Sequence, residues 1–184
     1  MRAGHFLIVG ALACLVACNG GDGGTAPDAA ASGSAGQSAQ LPDACDVLRE
    51  ADLSMIISGT PAITEMPAAS TEDVKVTNCT AASDKGNLSV GLLVRQQLND
   101  KYLTPSAAQA EDLVANTAPG GPLEGMSLEK VDNIGESALW APQVGQLNVF
   151  YRGGRSYFII TAMNTPNNKD ASLALARQII AKHP

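Results

Sequence analysis

Leu147-Asn148-Val149-Phe150-Tyr151-Arg152-Gly153-Gly154-Arg155-Ser156-Tyr157-Phe158-Ile159-Ile160-Thr161-Ala162-Met163 carries the clearest structural signal in the chain. Two runs rich in β-branched and aromatic residues flank a Gly-Gly pair. That pattern predicts a hairpin with a two-residue turn, in which Arg152 faces Arg155 and Phe150 faces Tyr157. Side chains alternate across a strand, so Leu147, Val149, Tyr151, Phe158 and Ile160 share one face, which must be core. Asn148, Phe150, Arg152, Arg155, Tyr157, Ile159 and Thr161 share the other.

Working outward, Val74 to Ala81 and Leu88 to Arg95 read as two more strands around the turn Ser83-Asp84-Lys85-Gly86. In the second, Leu88, Val90, Leu92 and Val94 alternate with Ser89, Gly91, Leu93 and Arg95, the period of a half-buried strand. Leu139 to Ala141 continues a further strand after the Asn133-Ile134-Gly135 bend. Helices are expected at three places. Pro42 to Ile57 reads as one or two short helices, with Asp43 as N-cap, Val47, Leu48, Leu53, Ile56 and Ile57 as the apolar face, and Gly59 as a stop. Thr104-Pro105 opens a second helix through about Asn116, with the hydroxyl at N-cap and Pro at N1. Asn168 or Asp170 caps a last one that presents Leu173, Leu175, Ala176, Ile179 and Ile180. Helix, strands, helix, strands, helix is the order of an α+β domain, an antiparallel sheet with packed helices.

The N-terminus has another character. Arg2 precedes an apolar run, Phe6 to Ala17, that ends in Leu15-Val16-Ala17-Cys18. About 12 apolar residues are too few for a spanning helix, which needs about 20, and they suit a secretory signal. A large aliphatic residue followed by a small one directly before Cys resembles the lipobox of bacterial lipoproteins. The resemblance implies cleavage after residue 17 and acylation of Cys18, which in this family carries diacylglycerol and an N-acyl chain. Cys14 fits less well, because Ala11 stands where the lipobox has a large aliphatic residue. Several acyl chains at about 0.8 kcal/mol per buried CH₂ give a firm membrane anchor. Asn19 after the anchor, by resemblance to proteobacterial sorting, favours the outer membrane, with the protein facing the periplasm.

Residues 19–40 hold no aromatic and no Ile, Leu, Val or Met. Such a stretch buries too little apolar surface to fold and is expected to serve as a flexible linker, with an r.m.s. reach of roughly 25 Å. The organisation read from the sequence is therefore signal peptide 1–17, lipid anchor and linker 18–40, and globular domain 41–184. Removing the signal leaves 18 acids against 11 bases, a net of −7. That balance disfavours nucleic acid and a polybasic grip on anionic lipid. With Cys14 cleaved away and Cys18 acylated, Cys45 and Cys79 remain. In an oxidising compartment they are expected to form a disulfide closing a loop of about 35 residues.

The run Cys45-Asp46-Val47-Leu48, then Asp52-Leu53 and Gly59, resembles the start of a lipoprotein domain common in actinobacteria, whose function is not established. There a Cys opens a helix and a second Cys lies on the following strand, as Cys79 does here. Gly135-Glu136-Ser137-Ala138-Leu139-Trp140 and the Gly-Gly hairpin are similar too. The resemblance implies an architecture like the α/β/α sandwich of the photosystem subunit PsbP. It implies no catalytic residue.

Chemistry is sparse. The mature chain has a single histidine, His183, next to the C-terminus where fraying is expected, which argues against Ser-His-Asp, Cys-His and HExxH sites. Ser127-Leu128-Glu129-Lys130 matches SxxK, but the companion motifs of that chemistry are missing or out of order. Asp43, Asp46, Glu50 and Asp52 read as a solvated helix face favoured by the macrodipole, with a divalent-cation site as the competing reading. No cofactor and no metal is implied. The best candidate surface is the second hairpin face, where Phe150, Arg152, Arg155 and Tyr157 combine aromatic and cationic groups typical of binding hot spots. The competing reading is a helix covering that face. The function expected is an envelope-anchored, non-enzymatic module that binds a protein or small ligand. The alternative is a small periplasmic hydrolase acting on wall or lipid substrates through carboxylates.

Overall fold

The computed structural model describes residues 40–165 and 167–184. The expected signal peptide, the expected acceptor Cys18 and nearly all of the expected linker fall outside them. The described chain is an α+β domain whose seven strands form one antiparallel sheet. In chain order the elements are α1 (Ala44–Glu50), β1 (Pro61–Met66), β2 (Val74–Ser83), β3 (Ser89–Gln97), α2 (Ser106–Ala115), β4 (Glu129–Val131), β5 (Ser137–Ala141), β6 (Gln146–Tyr151), β7 (Ser156–Met163) and α3 (Asn168–Lys182). The sheet order is β1-β2-β3-β7-β6-β5-β4. Three strands run in sequence from one edge. The chain then crosses through α2 to the far edge and returns strand by strand until β7 closes against β3.

The hairpin forms in the expected register. Phe150 faces Tyr157, Val149 faces Phe158 and Leu147 faces Ile160. Its core face packs with Val90, Leu92 and Val94 of β3 and Ala138 and Trp140 of β5 beneath α1 and α3. These residues are all but inaccessible to solvent, and so are Val47 and Leu48 of α1 and Leu175 and Ala176 of α3. A second, smaller cluster lies on the opposite face, where Ala110 of α2 meets Leu139 and Phe150. Alternation along β5 and β6 requires that opposition, because Leu139 and Phe150 neighbour the core residues Trp140 and Val149. Helices therefore lie on both faces of the sheet.

The α1 layer is tied down by covalent and polar links. Cys45 and Cys79 are joined, with 5.1 Å between their Cα atoms. The Thr77 hydroxyl of β2 accepts the Ala44 N–H at 2.9 Å. Gln178 of α3 clasps residue 52 from both sides: its Oε1 accepts the Asp52 N–H at 2.8 Å and its Nε2 donates to the Asp52 carbonyl at 3.1 Å.

Several local expectations are corrected. The first helix stops at Glu50, because Ala51 turns extended and the backbone leaves toward Gln178. Pro61–Met66 and Glu129–Val131 are strands that carry little hydrophobic alternation, as suits the two sheet edges. Asp43 occupies the N-cap position but makes no side-chain cap bond. Its carboxylate is drawn 2.5 Å from Lys75, and Thr77 serves the helix instead. Pro105 rather than Thr104 is the N-cap of α2, and Asn167, in the left-handed region, precedes α3 without capping it. The C-terminal residues are tied to α3 and to the hairpin. The His183 N–H donates to the Ile179 carbonyl at 2.9 Å, and Arg152 donates to the His183 and Pro184 carbonyls at 2.9 and 2.7 Å.

Candidate functional site

The four residues singled out on the second hairpin face do not form one exposed patch. Phe150 is buried in the cluster beneath α2. Tyr157 stacks on it with ring centroids 4.6 Å apart and donates its hydroxyl to Asn148 Oδ1 at 2.6 Å. Burial raises the Tyr157 phenol above its usual range, against a smaller opposing pull from the Arg95 cation. Arg155 is two-thirds buried and ion-pairs with Asp100.

Arg152 departs altogether. The turn centred on Gly153 and Gly154 has both residues at positive φ, 64° and 88°, and is closed by the Arg155 N–H on the Arg152 carbonyl at 3.1 Å. That is the expected two-residue turn, with φ signs that suit type I′. Arg152 itself also sits at φ 59°, which ends the strand one residue early and breaks the alternation. Its guanidinium lies 5.2 Å from the Tyr151 ring and grips the C-terminal residues beyond α3, across the sheet from Phe150.

The other sequence candidates disperse as well. Asp43 pairs with Lys75, Asp46 with Arg49 at 2.6 Å, and Glu50 lies 3.6 Å from the His183 imidazole. Asp52 accepts the Ser54 N–H at 3.0 Å, and hydrogen bonding from Ser54 holds its carboxyl below the ordinary value. Each acid thus has its own partner, and among the described residues no group of three or more His, Cys, Asp or Glu is placed to hold a metal ion. Ser127 sits in a loop against Gln143 at 2.7 Å while Lys130 is exposed on β4. The i,i+3 spacing brings side chains together on a helix, and these two are not on one. Trp140 is core.

The hairpin sequence alone does not reveal the remainder of the same face. α2 packs on β5 and β6, with Tyr157 at the near end of β7 against the same cluster, and leaves β1, β2, β3 and the rest of β7 without a helix on that side. The register lays Val76, Arg95 and Tyr157 in one row across the sheet, Asn78, Leu93 and Ile159 in the next, and Thr80, Gly91 and Thr161 in the third. All nine are partly accessible. None of the residues that these four strands direct to this face is acidic, in a chain with 18 acids. The floor continues into a groove of about 430 Å³ between Glu65–Ala68 and Val76–Asn78. There β1 has ended, and the Ser70 hydroxyl takes over by accepting the Val76 N–H at 2.9 Å and donating to the Val76 carbonyl at 3.1 Å.

Alternation in β3 was visible in the sequence, and with it the grouping of Gly91, Leu93 and Arg95. Which half of the face a helix would cover was not. No protein-family model, curated protein or solved structure matches this chain.

Proposed function

We propose that this chain is an envelope lipoprotein, anchored through Cys18 to the outer membrane and facing the periplasm, whose domain is a non-enzymatic binding module using the open face of β1, β2, β3 and β7. The lipobox resemblance and the small-residue linker support the anchoring. The observation that carries the binding role is the uncovered strip around Leu93 and Ile159, half-buried and free of acids in an acidic domain. Sheet faces without a covering layer expose apolar side chains at a cost that occupancy by a ligand removes.

Anchoring is tested by metabolic labelling with a radioactive fatty acid. Label on the wild type and none on Cys18→Ser is expected, and label that survives the substitution overturns the anchor. Binding is tested with a photo-crosslinking residue placed in the anchored protein at Thr80 or Thr161, and at exposed Arg49 on α1 as control. A discrete adduct from the two face positions and none from position 49 is expected. Adducts from position 49 alone, or from no position, overturn the face as a binding surface.

A further inference from the structure

Resting on the open face as a binding surface, we propose that its occupant is an aliphatic monocarboxylate, with the carboxylate on Arg95 and the hydrocarbon body over Leu93, Ile159 and the bare floor at Gly91.

Arg95 supplies the charge argument. Among the described residues no carboxylate pairs with it, and the hydrogen bond it makes to the Gln97 side-chain oxygen is long, at 3.4 Å. A partly buried guanidinium presents a planar fork of donors that matches a carboxylate. It is the lone cation that β1, β2, β3 and β7 direct to the open rows, since Arg155 above it is neutralised by Asp100. One cation on an acid-free floor suits a single negative charge better than a dianion.

Gly91 supplies an independent argument. It lies in the interior of β3, between Thr80 and Thr161, where glycine weakens a strand. Its φ is not in the left-handed region. A Cβ built there meets just the Thr161 Cβ, at 4.0 Å. Neither backbone conformation nor packing within the domain therefore calls for glycine. A bare position in a strand interior is where a ligand approaches the backbone closely.

The dimensions choose between occupants. Gly91 to Arg95 spans about 13 Å and the four strands about 14 Å between axes, roughly 200 Å² of floor. A stable protein partner covers about 800 Å² on each side. A peptide lying on the face would meet side chains rather than a free edge, leaving its backbone donors and acceptors without ladder partners. A hydrocarbon chain carries no such groups.

The test is equilibrium binding of decanoate, decanol and decyltrimethylammonium to the full chain carrying Cys18→Ser, so that no acyl group on the protein itself competes. Decanoate is expected to bind at least tenfold more tightly than decanol, with the ammonium compound weakest. Arg95→Ala and Arg95→Gln should each remove that tenfold preference. Gly91→Val should abolish decanoate binding with the melting temperature unchanged or raised, because a β-branched residue suits the strand and meets open space. Decanoate binding that is indifferent to both Arg95 and Gly91 substitutions overturns the proposal, since the ligand then sits elsewhere. No decanoate binding, with crosslinks at Thr80 and Thr161 still formed and still blocked by Gly91→Val, overturns the ligand class and leaves the binding face standing.

Discussion

Tyr151 and Tyr157 are close in sequence and differ in what surrounds the hydroxyl. Tyr157 donates to Asn148, whereas the Tyr151 hydroxyl is buried with no hydrogen-bond partner among the described residues. Burial pushes the Tyr151 phenol up to about 12, with the Arg152 cation opposing. The unfolded phenol ionises near 10, so the neutral form is favoured by folding. That contribution is fully present below about pH 10 and is lost as pH rises toward 12. Tyr151→Phe should therefore leave stability at pH 7 unchanged or raise it by up to about 1 kcal/mol, since no bond is broken and an unsatisfied group is removed. It should also flatten the loss between pH 10 and 12, read from urea unfolding at each pH. Tyr157→Ala is expected to cost about 3–5 kcal/mol, because it empties the stack on Phe150 beneath α2. Arg155→Ala should stay within about 0.5 kcal/mol, as its ion pair with exposed Asp100 is a surface one. The contrast between these two variants in one denaturation series shows how little the face beneath α2 resembles an exposed patch.

At the scale of elements, the β6–β7 turn has two glycines with unequal duties. Both have positive φ, but a Cβ on Gly153 meets nothing, while one on Gly154 collides with the Thr104 carbonyl and the Gln109 side chain. Gln109 Nε2 donates to both the Thr104 and Gly154 carbonyls, at 2.6 and 2.8 Å, so the turn, the start of α2 and the strand ends meet there. Gly153→Ala should cost about 1–2 kcal/mol, the penalty of a left-handed L-residue. Gly154→Ala should cost clearly more and should loosen α2, seen as faster amide exchange along Ser106–Ala115. Equal costs would show that the turn is not locked to the helix. The same turn accounts for the fate of Arg152. A third successive residue at positive φ swings its side chain to the α3 face, where it holds the C-terminal residues.

For the whole molecule, the disulfide and the crossover matter most. The Cys45–Cys79 bond closes a 34-residue separation between α1 and the sheet. On the chain-entropy account it stabilises the domain by about 3–4 kcal/mol. Replacing both cysteines with Ala should lower the free energy of unfolding by that amount under non-reducing conditions, and peptide mapping without reductant should recover the two cysteine peptides linked. An unchanged midpoint would mean that α1 is held by Thr77 and the apolar contacts of Val47 and Leu48 alone. The crossover through α2 divides one face of the sheet. A ten-residue helix placed over β5 and β6 cannot also cover β2, β3 and β7, so the face is divided into a core half and an open half.

Local sequence patterns were enough to read the α+β class, the hairpin with its register and turn, the alternating faces of β3, and the cysteine pair available for bonding. These are local matters: period-two alternation, turn chemistry at Gly153-Gly154 and cysteine number act over a few residues or through composition. Edge strands β1 and β4 were not legible, because a strand that packs on few neighbours carries no strong apolar alternation. The tertiary structure decided what each face meets. It buried Phe150 under α2 with Tyr157 stacked on it, turned Arg152 to the opposite side through one positive φ, gave each candidate acid a separate partner, and left Gly91, Leu93 and Arg95 uncovered. Those outcomes depend on where a helix crosses the sheet and on contacts between residues far apart in the chain, and nothing in the local pattern encodes them.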